Sequence, residues 1–103
     1  MSGVAPLRLL VICTANICRS PPAEHLLRRS ALERDLAIEV SSAGFLFDGE
    51  PASERTVAAA AEYGLDLSGH RSRIVSAEML ADVDLVVTME RRHSRDLIVE
   101  LGV

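Results

Sequence analysis

Residues 7 to 24 read LRLLVICTANICRSPPAE. The run Leu9-Leu10-Val11-Ile12 is apolar and of strand length, too short for a helix of ordinary size. It ends at Cys13. Five residues separate Cys13 from Arg19, and Ser20-Pro21-Pro22 then reads as a helix start, with Ser20 as N-cap and proline where a missing N–H costs nothing. A buried strand would thus deliver a thiol into a short loop closed by a guanidinium at a helix N-terminus. Converging loop amides and the helix dipole suit a tetrahedral oxyanion. Arg19 would add a planar fork to two of its oxygens. The same positive field favours thiolate at Cys13, since helix N-termini and nearby cations lower a cysteine pKa from about 8.5 to roughly 3.5–7.5.

The rest of the chain frames that loop. At 103 residues it fits one domain, spanning 1–103, with only modest burial. A net charge of −4 means that an anion must be held by local field, which disfavours broad nucleic-acid binding. No run approaches the ~20 apolar residues needed to cross a bilayer, so no membrane partner is expected. The first six residues, MSGVAP, have no charged segment of the kind that opens a signal peptide. Both cysteines lie in the loop, which suits a reducing cytoplasm rather than a disulfide framework. His25, His70 and His93 show no metal-ligand spacing, and no cofactor is expected.

The pattern predicts a helix from Pro21 to about Arg34, with Ala23, Leu26, Leu27 and Ala31 as its apolar stripe and Arg28, Arg29 and Glu33 in water. Residues 37–43 read as a second strand, parallel to the first after a helical crossover and ended by Gly44. Ligands in such sheets bind beyond the carboxyl ends of the strands, where Cys13 sits. Ser53 caps a helix to Tyr63, stopped by Gly64, and its alanine run Ala58 to Ala61 suits close packing. Ser76 caps a short helix through Ala81, and residues 84–89 form a third strand. A last helix spans Glu90 to Leu101 with the stripe Ser94, Leu97, Ile98 and Leu101. Its basic run Arg91-Arg92-His93-Arg95 reads as a solvated face that could also attract an anionic substrate.

The C-x5-R signature continued as Ser-Pro resembles the low-molecular-weight protein tyrosine phosphatases, whose motif reads C-x-x-N-x-C-R-S-P. Cys13, Asn16, Cys18, Arg19, Ser20 and Pro21 fill its fixed places. The segment ending Ser42-Ala43-Gly44 resembles the family's "SAG" strand end. Residues 64–73 resemble its G-[IL]-D-x-S-x-H-x-[AS]-[RK] stretch. The resemblance implies an α/β fold of three layers, α/β/α, on a short parallel sheet in flavodoxin-like order. It also implies Cys13 and Arg19 as catalytic residues. Thr14, Ala15, Asn16, Ile17, Cys18 and Arg19 would be phosphate-binding, with Ser20, Asn16 and His70 in support. Phe45 or Phe47 would stand as an aromatic wall, or either packs beneath the loop. Arg71 and Arg73 read as surface residues.

In the family an aspartate of an Asp-Pro-aromatic loop supplies the proton to the leaving group. No Asp-Pro dipeptide occurs here, so the general acid is unassigned, and the family's last strand and closing helix are expected to be missing. A sheet so shortened would bare an edge and invite homodimerisation. The resemblance implies a phosphomonoesterase acting on phosphotyrosine in proteins through a cysteinyl phosphate. Ile17 occupies a position where tyrosine-specific members are similar and the bacterial arginine phosphatases carry threonine. Two alternatives stay open: an arsenate reductase using a small external thiol, and a pseudophosphatase that binds phosphate without turnover. Cys18 either forms a protective disulfide with Cys13 or is a small buried residue of the loop.

Overall fold

The computed structural model describes residues 5–16, 20–89, 92, 93, 95, 97 and 98. Three parallel strands, β1 (Leu7–Ile12), β2 (Ile38–Ala43) and β3 (Leu85–Thr88), form a sheet in the order β2-β1-β3. The helices are α1 (Ser20–Glu33), α2 (Glu54–Ala61) and α3 (Ala77–Ala81), and the described residues between 92 and 98 are helical as well. The sheet is the parallel α/β arrangement that the sequence predicts, with β1 in the middle.

The register brings the strand ends level. Ile12 pairs with Ala43 on one side and with Thr88 on the other. Cys13, Gly44 and Met89 therefore leave the sheet side by side at its carboxyl edge. Cys13 N–H donates to the Ala43 carbonyl at 3.2 Å, and Met89 N–H to the Ile12 carbonyl at 3.0 Å.

Leu10 and Ile12 join Ala43, Val75, Leu80 and Leu97 in the main core, so α3 and Leu97 cover that side of β1. Six apolar side chains of this size, buried at about 1.5–3 kcal/mol each for the larger ones, fix the height of Cys13 above the sheet. A second cluster, Ala52, Ala60, Leu65 and Leu67, seats α2 on the segment that follows it. Ser53 and Ser76 cap α2 and α3 as expected, each accepting from the backbone N–H three residues on. Gly64 takes a left-handed turn (φ 75°) that ends the α2 region.

Several expectations need correction. Leu26 and Leu27 are 44% and 42% exposed, so they are not the packing stripe of α1; the helix buries Ser20, Pro21 and Ala31 instead. The sequence pattern could not see that α1 rests over β1 and β2 by its first turn and by a small residue near its end. Arg28 and Arg29 are not merely solvated. Arg28 Nη2 donates to the Val40 carbonyl at 2.7 Å, and Arg29 Nη1 to the Tyr63 carbonyl at 2.6 Å. Of the run Ala58 to Ala61, only Ala60 is buried. Ser20 lies inside α1, and its hydroxyl is spent on the site below rather than on capping. His93 is 1% exposed, not part of a solvated face. Arg91, Ser94 and Leu101 lie outside the described residues.

Candidate active site

β1 delivers Cys13 into a concavity where its side chain is almost wholly buried. Its Sγ lies 3.1 Å from the Asn16 backbone N–H, which donates to it, and 2.9 Å from Ser20 Oγ. The loop therefore turns back over the sulfur within three residues. That turn requires Asn16 at φ 60°, a left-handed conformation that asparagine tolerates better than most side chains.

Asn16 is fully buried and satisfied at every polar atom. Its Nδ2 donates to Ser20 Oγ at 2.8 Å and to Ser42 Oγ at 2.9 Å. Its Oδ1 accepts from Arg73 N–H at 2.9 Å, and its backbone carbonyl accepts from His70 Nε2 at 2.7 Å. A carbonyl can only accept, so His70 carries its proton on Nε2 here. Four hydrogen bonds thus tie one residue to β2, to α1 and to the 64–73 loop, and a fifth joins it to Cys13. Losing one partner of such a buried group leaves a desolvated atom, which costs about 1–3 kcal/mol.

The backbone of the loop also rests directly on Gly44. A Cβ there would stand 2.8 Å from Asn16 N, 2.9 Å from Ala15 C and 3.0 Å from Cys13 O. Phe45 N–H then donates to the Thr14 carbonyl at 2.7 Å, so β2 and its exit brace the loop along its first three residues. Thr14 Oγ1 is held from the opposite side. His93 Nε2 lies 3.0 Å from it, Arg92 Nη2 donates to it at 3.0 Å, and the His93 ring packs on Phe45 at 5.8 Å between centroids. Phe45 is partly buried and packs against the core, whereas Phe47 is 44% exposed.

Behind the loop, Glu24, His25, Ser42, Asp66, His70 and Arg73 line a cavity of about 330 Å³. Burial lowers the His25 pKa below its ordinary value, against a smaller opposing pull from the Glu24 carboxylate. Asp66 is held below the usual carboxylate range by hydrogen bonds from the Ser68 side chain and backbone. Among the described residues no cluster of three or more histidine, cysteine or acidic side chains has the geometry of a metal site.

Of the residues expected at the site, the structure brings together Cys13, Thr14, Ala15, Asn16, Ser20 and His70. Ile17, Cys18 and Arg19 lie outside the described residues, and so does any Cys13–Cys18 pairing. Four contributors were not singled out from the sequence: Ser42, Glu24, Arg73 through its backbone N–H, and His93. Ser42 stood in a recognised segment without a role. The i,i+4 spacing of Glu24 and Arg28 is a visible signal for their pairing, whereas the sequence reading takes Arg28 alone, as a residue in water.

Residues 8–102 match the family model described as low molecular weight phosphotyrosine protein phosphatase. The low molecular weight protein-tyrosine-phosphatase Wzb of Escherichia coli K12 is 42% identical over 85 residues, which are 82% of this chain and 56% of Wzb. The low molecular weight protein tyrosine phosphatase from T. tengcongensis superposes with a TM-score of 0.88 at 36% identity, covering 94% of this chain and 67% of that one. The YwlE arginine phosphatase, a cysteine-to-serine mutant with a phosphorylated active site serine, gives a TM-score of 0.89 at 30% identity, covering 93% and 63%. The chain thus spans little more than half the length of the Wzb sequence.

Proposed function

The chain belongs to the low molecular weight phosphotyrosine protein phosphatase family, and from that premise we propose that it is a phosphomonoesterase hydrolysing phosphotyrosine in proteins. One observation carries this reading furthest. A buried sulfur at the carboxyl end of the central strand lies within hydrogen-bond reach of both an amide N–H and a hydroxyl. Hydrogen bonds to the charged form favour thiolate.

The thiolate attacks phosphorus opposite the ester oxygen. The S–P bond forms, the P–O bond to the tyrosine ring breaks, and the ring oxygen leaves with the electron pair and takes up a proton. Water then cleaves the cysteinyl phosphate to inorganic phosphate and restores the thiol. On this reading residues 14–18 hold the phosphoryl oxygens, with the Asn16 N–H itself given to the sulfur, and Arg19 neutralises charge that grows in the transition state. Ser20 and His70 hold the loop in shape. Phe47 offers a face to the substrate ring.

Residues 1–103 contain no Asp-Pro pair. General acid catalysis contributes typically ~100- to 10,000-fold, and a good leaving group needs it least. The test compares phosphate release from a phosphotyrosyl peptide, a phosphoserine peptide, a phosphoarginine peptide and an aryl phosphate with a more acidic phenol. We expect the activated aryl phosphate to be fastest, the phosphotyrosyl peptide slower and the other two unreacted. A preference for phosphoarginine would place the chain with YwlE in substrate. Phosphopeptide binding without release, or arsenate-dependent thiol oxidation without hydrolysis, would replace the reading altogether.

We read the chain as a single domain working in the cytoplasm, where its two cysteines stay reduced. The outer edge of β3 has no strand partner among the described residues, and Leu85 on it is 49% exposed. Pairing of two copies along this edge would cover it. Sedimentation should show a concentration-dependent dimer that Leu85→Lys converts to monomer; a monomer at all concentrations removes this part of the reading.

A further inference from the structure

We propose that Glu24 is a positioning residue for the Cys13 thiolate, acting through Ser42, Asn16 and Ser20. The inference rests on the reading of Cys13 as nucleophile. The Glu24 side chain is only 13% exposed, and both its oxygens are engaged: one accepts from the Ser42 hydroxyl, the other from Arg28 Nη2. Arg28 is itself anchored to the Val40 carbonyl of β2. A carboxylate held by a guanidinium accepts and does not donate. The single Ser42 proton is therefore committed to Glu24, which leaves Ser42 Oγ to accept from Asn16 Nδ2.

The opposite end of the amide is fixed independently. Arg73 N–H donates to Asn16 Oδ1, so both N–H bonds of Nδ2 point away from it, one to Ser42 and one to Ser20. Ser20 Oγ accepts from Asn16 and keeps its own proton for the sulfur 2.9 Å away. Every bond from Glu24 to Cys13 thus has its direction set by groups that have no choice: a carboxylate and a backbone N–H. In Glu24→Gln one side-chain oxygen is left for two donors, Arg28 Nη2 and the Ser42 hydroxyl; with Arg28 on that oxygen, the new NH2 faces Ser42 Oγ, and the Ser42 proton loses its acceptor and competes with Asn16 Nδ2 for the same space. The amide then tilts, and Ser20 is no longer aimed at the sulfur.

Glu24 has two effects of opposite sign on the thiol. By directing the chain of bonds it favours the thiolate; by its negative charge it opposes it, a field that the Arg28 guanidinium offsets. The structure favours the first, because the carboxylate is neutralised where it stands while the chain of bonds reaches the sulfur.

The experiment follows the rate of Cys13 alkylation by iodoacetamide against pH. It reads the modified peptide by mass in the full chain, in Glu24→Gln, in Ser42→Ala and in the double variant. The midpoint should rise by roughly half to one pH unit in each single variant, about three- to tenfold less thiolate at a fixed pH below it. The double variant should move no further than either. An unchanged or lowered midpoint in Glu24→Gln, or additive shifts in the double variant, overturns the proposal. If Glu24→Gln does not melt cooperatively, Ser42→Ala carries the test, and a wild-type midpoint there overturns it. A wild-type Cys13 that alkylates only at the pH of an ordinary thiol would instead sink the reading of Cys13 as nucleophile.

Discussion

Cys13→Ser should abolish phosphate release from every aryl phosphate while leaving the chain folded. Among the described residues of the loop, Cys13 carries the side chain that can become a charged nucleophile near neutral pH. A serine hydroxyl in the same place keeps its proton and is a poor nucleophile without a base beside it. Asn16 N–H and Ser20 Oγ are arranged around an acceptor, not around a group that must be deprotonated. The loss should be at least about 10⁴-fold, the scale seen when a nucleophile is removed from a preorganised site. The substitution is nearly isosteric, so stability should stay within about 1 kcal/mol. Parallel measurement of phosphate release and thermal melting checks both halves. Turnover that survives would remove Cys13 from the mechanism.

Gly44→Ala should disable the site from the residue that directly follows β2. The added methyl would meet three backbone atoms of the loop after β1 at 2.8, 2.9 and 3.0 Å. No rotamer change relieves a clash with backbone, so either the loop moves or β2 does. Overpacking of this kind costs typically 1–3 kcal/mol, and a displacement of about 1 Å at a reacting group can cost ~100-fold in rate. We expect a lower melting temperature together with a rate loss of about 100-fold or more. Gly69→Ala is the control, because a Cβ there meets nothing within 4 Å. Equal behaviour of the two alanine variants would show that the close approach at Gly44 does not govern the loop.

The sheet and its site-bearing edge were legible because one short apolar run, one parallel crossover and two serine caps each follow from local chemistry. What escaped was set by tertiary contact. The α1 stripe was assigned by periodicity, but Leu26 and Leu27 stay exposed because the helix rests on Pro21 and Ala31. His93 sits among arginines in the sequence and so reads as solvated. Only the fold turns it inward to Thr14 and Phe45. Ser20 has a good N-cap sequence context, yet the competing demand of Asn16 and Cys13 takes its hydroxyl. Arg73 could not have been found by residue type, since its backbone amide makes the contact to the Asn16 side chain.

The left-handed bend at Asn16 also bears on the order of folding. Its partners come from residues 20, 42, 70 and 73, so it closes only after segments far apart in the chain have met. Contacts of long sequence separation form late, because the entropy of loop closure must be overcome before they stabilise anything. A chain still emerging or partly collapsed therefore lacks the hydrogen bonds that surround the Cys13 sulfur in the folded structure. The setting of that sulfur therefore belongs to the completed tertiary structure and not to the loop by itself.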